Sequence, residues 1–238
     1  RLEEDINKIF PEATTIRMDI DTVTRKNSHE EILNKFKNDN IDILIGTQMV
    51  VKGHHFPNVT LVGVIAADSS LYIEDYRANE RTFQILTQVA GRAGREKLPG
   101  RVIIQTYNPD NFAIECSKKQ NYDEFYETEI ELRKQLKYPP FCDIISIGIT
   151  DTDNNKIKNV SEKLYNNISR TIKNEKMDFN IYKPLPCPID KIKNKYRWRI
   201  ILKGKLNNKI IDIINKSIEQ VNSKTTRIIV DTNPTNLA

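Results

Sequence analysis

The chain has 238 residues, enough for two ordinary domains that each bury a core. Cys116, Cys142 and Cys187 lie far apart, with no C-x-x-C pair and no His/Cys cluster, so a disulfide framework and a metal site are both excluded and the thiols read as reduced and cytosolic. The net charge is +5, and no apolar run approaches the roughly 20 residues that a membrane helix needs.

Residues 2–10 form an amphipathic helix with Leu2, Ile6 and Ile9 on one side, ended by Pro11 and too charged for a secretory signal. A β-prone run follows at 14–18, and residues 29–37 repeat Ile32, Leu33 and Phe36 at helical spacing. Residues 41–45 and 61–66 are short and almost wholly apolar, as expected of strands buried on both faces of a parallel sheet. Helix 79–89 and strand 102–106 complete an alternation that predicts a doubly wound α/β domain, whose ligands bind at loops after the carboxyl ends of strands. A charged amphipathic stretch over 112–138 ends at Pro139 and Pro140, giving a first domain over 1–112, a helical connector over 113–138 and a second domain over 139–238.

The second half predicts strand 141–150, then helix 156–173 with Ile157, Val160, Leu164 and Ile168 inward. Strand 179–182 precedes a proline-rich turn at Pro184, Pro186 and Pro188, followed by strand 196–202, helix 208–221 and strand 227–230. This β-α-β-β-α-β order is that of a ferredoxin-like α+β sandwich.

Two motifs carry chemistry in the first half. In Gln88-Val89-Ala90-Gly91-Arg92-Ala93-Gly94-Arg95, two arginines three apart each follow a glycine at the end of a helix. Glycine allows close backbone approach, and the guanidinium fork suits phosphate oxygens, the design of an arginine finger. The competing reading is a solvated, glycine-punctuated helix end. The second motif, Gly46-Thr47-Gln48-Met49-Val50-Val51-Lys52-Gly53-His54-His55, leaves the end of an apolar strand. Gly46 and Thr47 offer an N–H and a hydroxyl to a nucleic-acid phosphate, with Gln48 and Lys52 in the same loop; alternatively Thr47 merely caps a helix.

The order and separation of these motifs resemble motifs V and VI of superfamily 2 helicases. The flanking stretches Asp75-Tyr76-Arg77-Ala78-Asn79-Glu80-Arg81, Gln105-Thr106-Tyr107-Asn108-Pro109, Tyr138-Pro139-Pro140-Phe141 and Tyr196-Arg197-Trp198-Arg199 are similar to the primosomal protein N′ family of bacterial replication-restart helicases, and the likeness covers essentially the whole chain. The resemblance implies a RecA-like second helicase lobe with a parallel sheet, ahead of the ferredoxin-like domain. It implies that Arg92, Arg95 and Gly91 meet the phosphates of ATP with Mg²⁺, that Gly53 lies near the nucleotide and that Gln88 couples nucleotide state to movement. Gly46, Thr47 and Gln48 would contact the tracked strand. It further implies a 3′-to-5′ helicase that restarts replication at stalled or repaired forks through primosome assembly. Its partners would be forked and single-stranded DNA, single-stranded-DNA-binding protein and other primosome proteins, in a cytoplasmic, nucleoid-associated setting with no membrane partner.

The departures matter too. His54-His55 stand where many relatives have Leu-Asp, so no ribose-binding carboxylate is assigned. The zinc-binding cysteines of the family are absent, and the chain opens on Arg1, as expected of a piece that starts after them. No G-x-x-x-x-G-K-[ST] loop and no acidic box occur, so the chain alone is expected not to hydrolyse ATP. Two other readings stand beside this one: another superfamily 2 repair motor, or a non-catalytic DNA-binding or docking module.

Residues 113–238 carry a net charge of about +7, while the first part is slightly acidic. Lys191, Lys193, Lys195, Arg197 and Arg199 alternate, with Lys203 and Lys205 keeping the parity. An extended strand would put all these cations on one face and Ile192, Tyr196, Trp198 and Ile200 on the other, a stripe suited to a phosphate backbone. A solvated edge strand is the competing reading. Trp198 reads as a core or interface aromatic ahead of a base-stacking platform.

Overall fold

Two parallel strand pairs and one antiparallel sheet organise the computed structural model of the chain, which describes residues 1–18, 28–47, 56, 58–91, 100–221, 223, 225–235 and 237. The chain divides into two compact units: Arg1–Leu71 with Glu80–Tyr122, and Tyr72–Asn79 with Asp123–Ala238. No described helix is long and apolar enough to cross a membrane.

In the first unit, helix α1 (Leu2–Ile9) precedes strand β1 (Thr15–Met18), which pairs in parallel with β2 (Ile43–Gly46). Helix α2 (Ser28–Asn38) lies between them in sequence, as a parallel pair requires. Leu33 joins Met18 and Phe56 in a small core, with Phe36 and Leu44 packed against it. The Asp42 carboxylate pins the start of both strands by accepting from the Thr14 N–H and hydroxyl, each at 2.8 Å. The second pair is β3 (Leu61–Val64) with β4 (Arg101–Ile104), connected through α3 (Ala78–Ala90). Leu86 of α3 and Ile114 of α4 (Phe112–Lys119) close on Ala67, with Val64 and Ile104 beside them.

The expectation that residues 41–45 and 61–66 are buried on both faces is corrected: Ile43, Leu44 and Ile45 are only half-buried, and β3 alternates between exposed and half-buried. In the second pair, packing comes from the Val64 and Ile104 side alone, leaving Leu61 57 % and Ile103 48 % exposed. Strand β3 also stops short of residue 66, because Ala66 adopts φ 52° and turns the chain into a short 3-10 segment, Ala67–Ser70. The helical connector expected over 113–138 consists of two helices. Asn111 caps α4 by accepting from the Ala113 N–H, and Gln120 at φ 53° ends it before α5 (Tyr122–Gln135) begins.

In the second unit, β5 (Asp143–Asp151), α6 (Asn154–Asn174), β6 (Phe179–Ile181), β7 (Leu185–Ile192), β8 (Lys195–Gly204), α7 (Asn208–Val221) and β9 (Arg227–Thr232) follow in order. The antiparallel sheet runs β6-β8-β5-β9, with β7 also paired to β8. Ile145, Ile147 and Ile149 of β5 and Ile200 and Leu202 of β8 form a continuous core with Ile157, Leu164 and Ile168 of α6 and Ile210 and Ile214 of α7. The helices therefore cover one face of the sheet.

The proline-rich turn is corrected: Pro186 and Pro188 lie within β7. An edge strand needs no outward N–H, so proline is tolerated there, and the register slips between Pro186 and Lys191. Strands β7 and β8 are joined by Lys193 and Asn194 at φ 47° and 61°, with Ile192 opposite Lys195. Left-handed backbone at both central residues makes this a two-residue type I′ hairpin.

The open face of the sheet is partly covered by Tyr72–Asn79 and the stretch after α5. Arg77 forks onto the Asp75 carboxylate, both contacts at 3.2 Å, and reaches the carbonyls of Pro234 and Thr235. Tyr76 stacks on Tyr138 with centroids 5.1 Å apart, and the Arg133 guanidinium sits 5.1 Å from the Tyr76 ring. Lys203, a buried cation, lies 3.3 Å from the Tyr138 ring centroid and donates to the Leu136 carbonyl at 3.4 Å.

Candidate nucleic-acid interface

At the carboxyl end of β2, Gly46 ends the strand and Thr47 follows, both exposed. They stand at the carboxyl end of the strand, the edge where α/β sheets take ligands. Helix α3 buries Thr82, Phe83, Leu86 and Val89 and leaves Gln88 exposed on its last turn. The Gly91 N–H closes that turn on the Thr87 carbonyl at 3.1 Å. Gln48, Lys52, Gly53, His54, His55, Arg92 and Arg95 lie outside the described residues.

The linear sequence assigns no role to Asp68. The structure makes it the lock between the loops after β3 and β4. Only 3 % exposed, its carboxylate accepts from the Thr106 hydroxyl at 2.6 Å and from the Tyr107 and Asn108 N–H groups at 2.8 and 3.1 Å. The Thr106 hydrogen bond foremost, then that of Tyr107, holds its pKa below the usual carboxylate value against burial. The pinned loop presents Tyr107 to solvent, 89 % exposed. A conformational lock of this kind has no local sequence signal, since the acceptor and its donors are about forty residues apart.

In the second unit the basic stripe is not one surface. The hairpin turn at Lys193 and Asn194 interrupts it, because the strand reverses there instead of continuing. Lys191 pairs with Tyr196 and sits 4.6 Å from its ring centroid, on the face opposite Lys195, Arg197 and Arg199. Those last three share a face, but their surroundings differ. The Arg199 side chain is 15 % exposed and is bound to the Glu74 carboxylate at 2.8 Å and to the Leu237 carbonyl. Arg197 donates to the Ile189 carbonyl at 3.2 Å, and Lys195 is exposed. Lys203 keeps the parity but is buried beneath Tyr138. Trp198 packs against the core, and its indole N–H donates to the Asn154 side-chain oxygen at 3.3 Å, in line with the core reading.

Two family models match the chain in tandem. The helicase conserved C-terminal domain covers residues 4–97, and the primosomal protein N C-terminal domain covers residues 134–235. Among curated relatives, the replication restart protein PriA of Bacillus subtilis (strain 168) is 40 % identical over 98 % of this chain and 29 % of its own length. That of Chlamydia pneumoniae is 39 % identical over 86 % of the chain and 27 % of the relative. That of Borreliella burgdorferi is 35 % identical over 99 % of the chain and 35 % of the relative. The chain thus spans about a third or less of the length of these relatives. With parallel strand pairs in the first unit, both domain models in order and this chain matched almost end to end within longer relatives, the chain belongs to the PriA family of replication restart proteins.

Proposed function

We propose that the chain forms the second motor lobe and C-terminal domain of an ATP-dependent 3′-to-5′ DNA helicase that acts at stalled or repaired forks and restarts replication through primosome assembly. The observation that carries this reading is the tandem of a helicase C-terminal domain and a primosomal C-terminal domain in one chain. The first unit is then a RecA-like lobe. The second is a ferredoxin-like fold with β7 added, a reading supported by the β6-β8-β5-β9 order and by two helices on one face.

In this reading Gly46 and Thr47, exposed after β2, donate to the phosphates of the tracked strand, with Gln48 and Lys52 alongside. Exposed Gln88 ends the helix that leads into Gly91, Arg92 and Arg95, whose forks suit the oxygens of a transferring phosphoryl group. The residues of this chain suit only half of an ATP site, since no phosphate loop or acidic box occurs in the sequence. ATP with Mg²⁺ would be held jointly with another lobe, Gly53 lying near the nucleotide, and zinc would belong to a cysteine-rich segment elsewhere in the protein. Forked and single-stranded DNA, single-stranded-DNA-binding protein and other primosome proteins are the proposed partners, in the bacterial cytoplasm at the nucleoid.

The test is Arg95→Ala in the full-length protein. DNA-stimulated ATP turnover is expected to fall by about 10³-fold or more, the scale of an arginine finger, while DNA affinity stays within about twofold. Turnover unchanged from wild type removes the finger assignment.

A further inference from the structure

The sheet of the second unit has one face beneath α6 and α7 and another whose residues follow from the strand registers. On that second face Thr150 of β5 stands opposite Arg197 of β8 on one side and Arg227 of β9 on the other. Three strands therefore present an Arg-Thr-Arg row, its arginine Cα atoms about 10 Å apart at two strand spacings. The next row holds Arg199, Gly148 and Ile229. A Cβ added at Gly148 would meet only the Ile229 carbonyl, at 3.9 Å, so a shallow hollow lies beside the row.

The cations of this face divide by what surrounds them. Arg199 is neutralised by Glu74, and Lys203 is buried under Tyr138. Arg227 is exposed and Arg197 half-buried, and among the described residues neither makes an ion pair. The nearest acid on β9 is Asp231, four residues from Arg227 and about 13 Å along the strand, opposite Ser146. The exposed Arg227 fork, the part of the Arg197 fork not given to the Ile189 carbonyl and the Thr150 hydroxyl between them suit phosphodiester oxygens and offer little to distinguish bases.

We infer that the Arg197-Thr150-Arg227 row is where the second unit holds a nucleic-acid backbone, in place of the linear stripe from Lys193 to Arg199. The inference rests on the proposal that the chain works on DNA, and adds Thr150 and Arg227 to it while removing Lys193 and Arg199.

The experiment is equilibrium binding of labelled forked DNA to the 238-residue chain across a salt series. The Arg197→Ala/Arg227→Ala double variant is expected to bind about tenfold more weakly and to lower the slope of log affinity against log salt by about 2, one for each phosphate no longer neutralised. Arg197→Lys/Arg227→Lys should keep the slope, and Lys193→Ala should match wild type. Thermal melting of each variant separates weakened binding from unfolding. Wild-type affinity and slope in the alanine double variant overturn the row while leaving DNA binding by the chain intact. An equal loss in Lys193→Ala overturns it in favour of diffuse attraction. Displacement of the DNA by polyglutamate at matched charge would reassign the row to an acidic protein segment. No binding by the wild-type chain overturns the row as a binding surface of this chain, while the helicase reading is decided separately by Arg95→Ala in the full-length protein.

Discussion

Gly204 shows how much one side chain, or its absence, decides in this fold. It pairs with Phe179 across β8 and β6, and a Cβ there would come within 2.5 Å of the Phe179 ring. Gly204→Ala is therefore expected to destabilise the second unit by about 1–3 kcal/mol, the usual cost of overpacking. A urea midpoint equal to wild type would show that the ring moves aside freely. Lys203, next in sequence, carries the same lesson about charge. By parity it belongs to a basic stripe, yet its ammonium is buried against Tyr138 and serves packing.

Among the elements, the segment Tyr72–Asn79 departs furthest from its place in the sequence. It lies between two parts of the first unit but packs within the second, held by Asp75, Tyr76, Arg77 and Glu74. The Asp75 side chain is fully buried, so Arg77→Ala leaves a carboxylate short of its guanidinium while keeping the Arg77 N–H bond at 2.9 Å. A loss of about 1–3 kcal/mol is expected in denaturant melts of the second unit. Glu74 is well exposed, and Glu74→Ala should change stability by no more than about 1 kcal/mol. Comparable losses for both variants would mean that burial of the Asp75 pair is not what fastens the segment.

At the scale of the whole molecule, buried Asp68 and Asp151 and half-buried Asp143 tie distant parts of each unit together and make stability depend on pH. Asp68 is held below its ordinary pKa by the Thr106 hydroxyl first, and Asp143 by the Leu206 N–H first. At Asp151 burial pushes the pKa up, but hydrogen bonds from the Thr226 hydroxyl and the Asp153 and Thr152 N–H groups outweigh it, and the net shift is downward. A depressed folded-state pKa gives stability that is fully present above the unfolded value near 4 and is lost as pH falls through the folded value. Denaturant midpoints should hold steady from about pH 7 to 5 and decline below about pH 4. In Asp151→Asn that decline should be shallower, and an equally steep decline would assign the acid sensitivity to other groups.

The sequence by itself determined where most helices and strands lie, because apolar spacing and proline or glycine punctuation are local. The inward residues Ile157, Leu164 and Ile168 of α6 were legible at their 3.6-residue period, and so was the exposed end of β2 at Gly46 and Thr47. Tertiary structure decided the rest. Whether alternate cations share a face depends on where the chain reverses, and left-handed Lys193 and Asn194 carry no marker glycine. Whether prolines make a turn or an edge strand depends on an unneeded N–H, which only the pairing of β7 with β8 reveals. The Asp68 lock, the Tyr72–Asn79 segment and the row through Thr150 join residues tens of positions apart. Such juxtapositions arise from sheet register and burial, which a one-dimensional pattern does not encode.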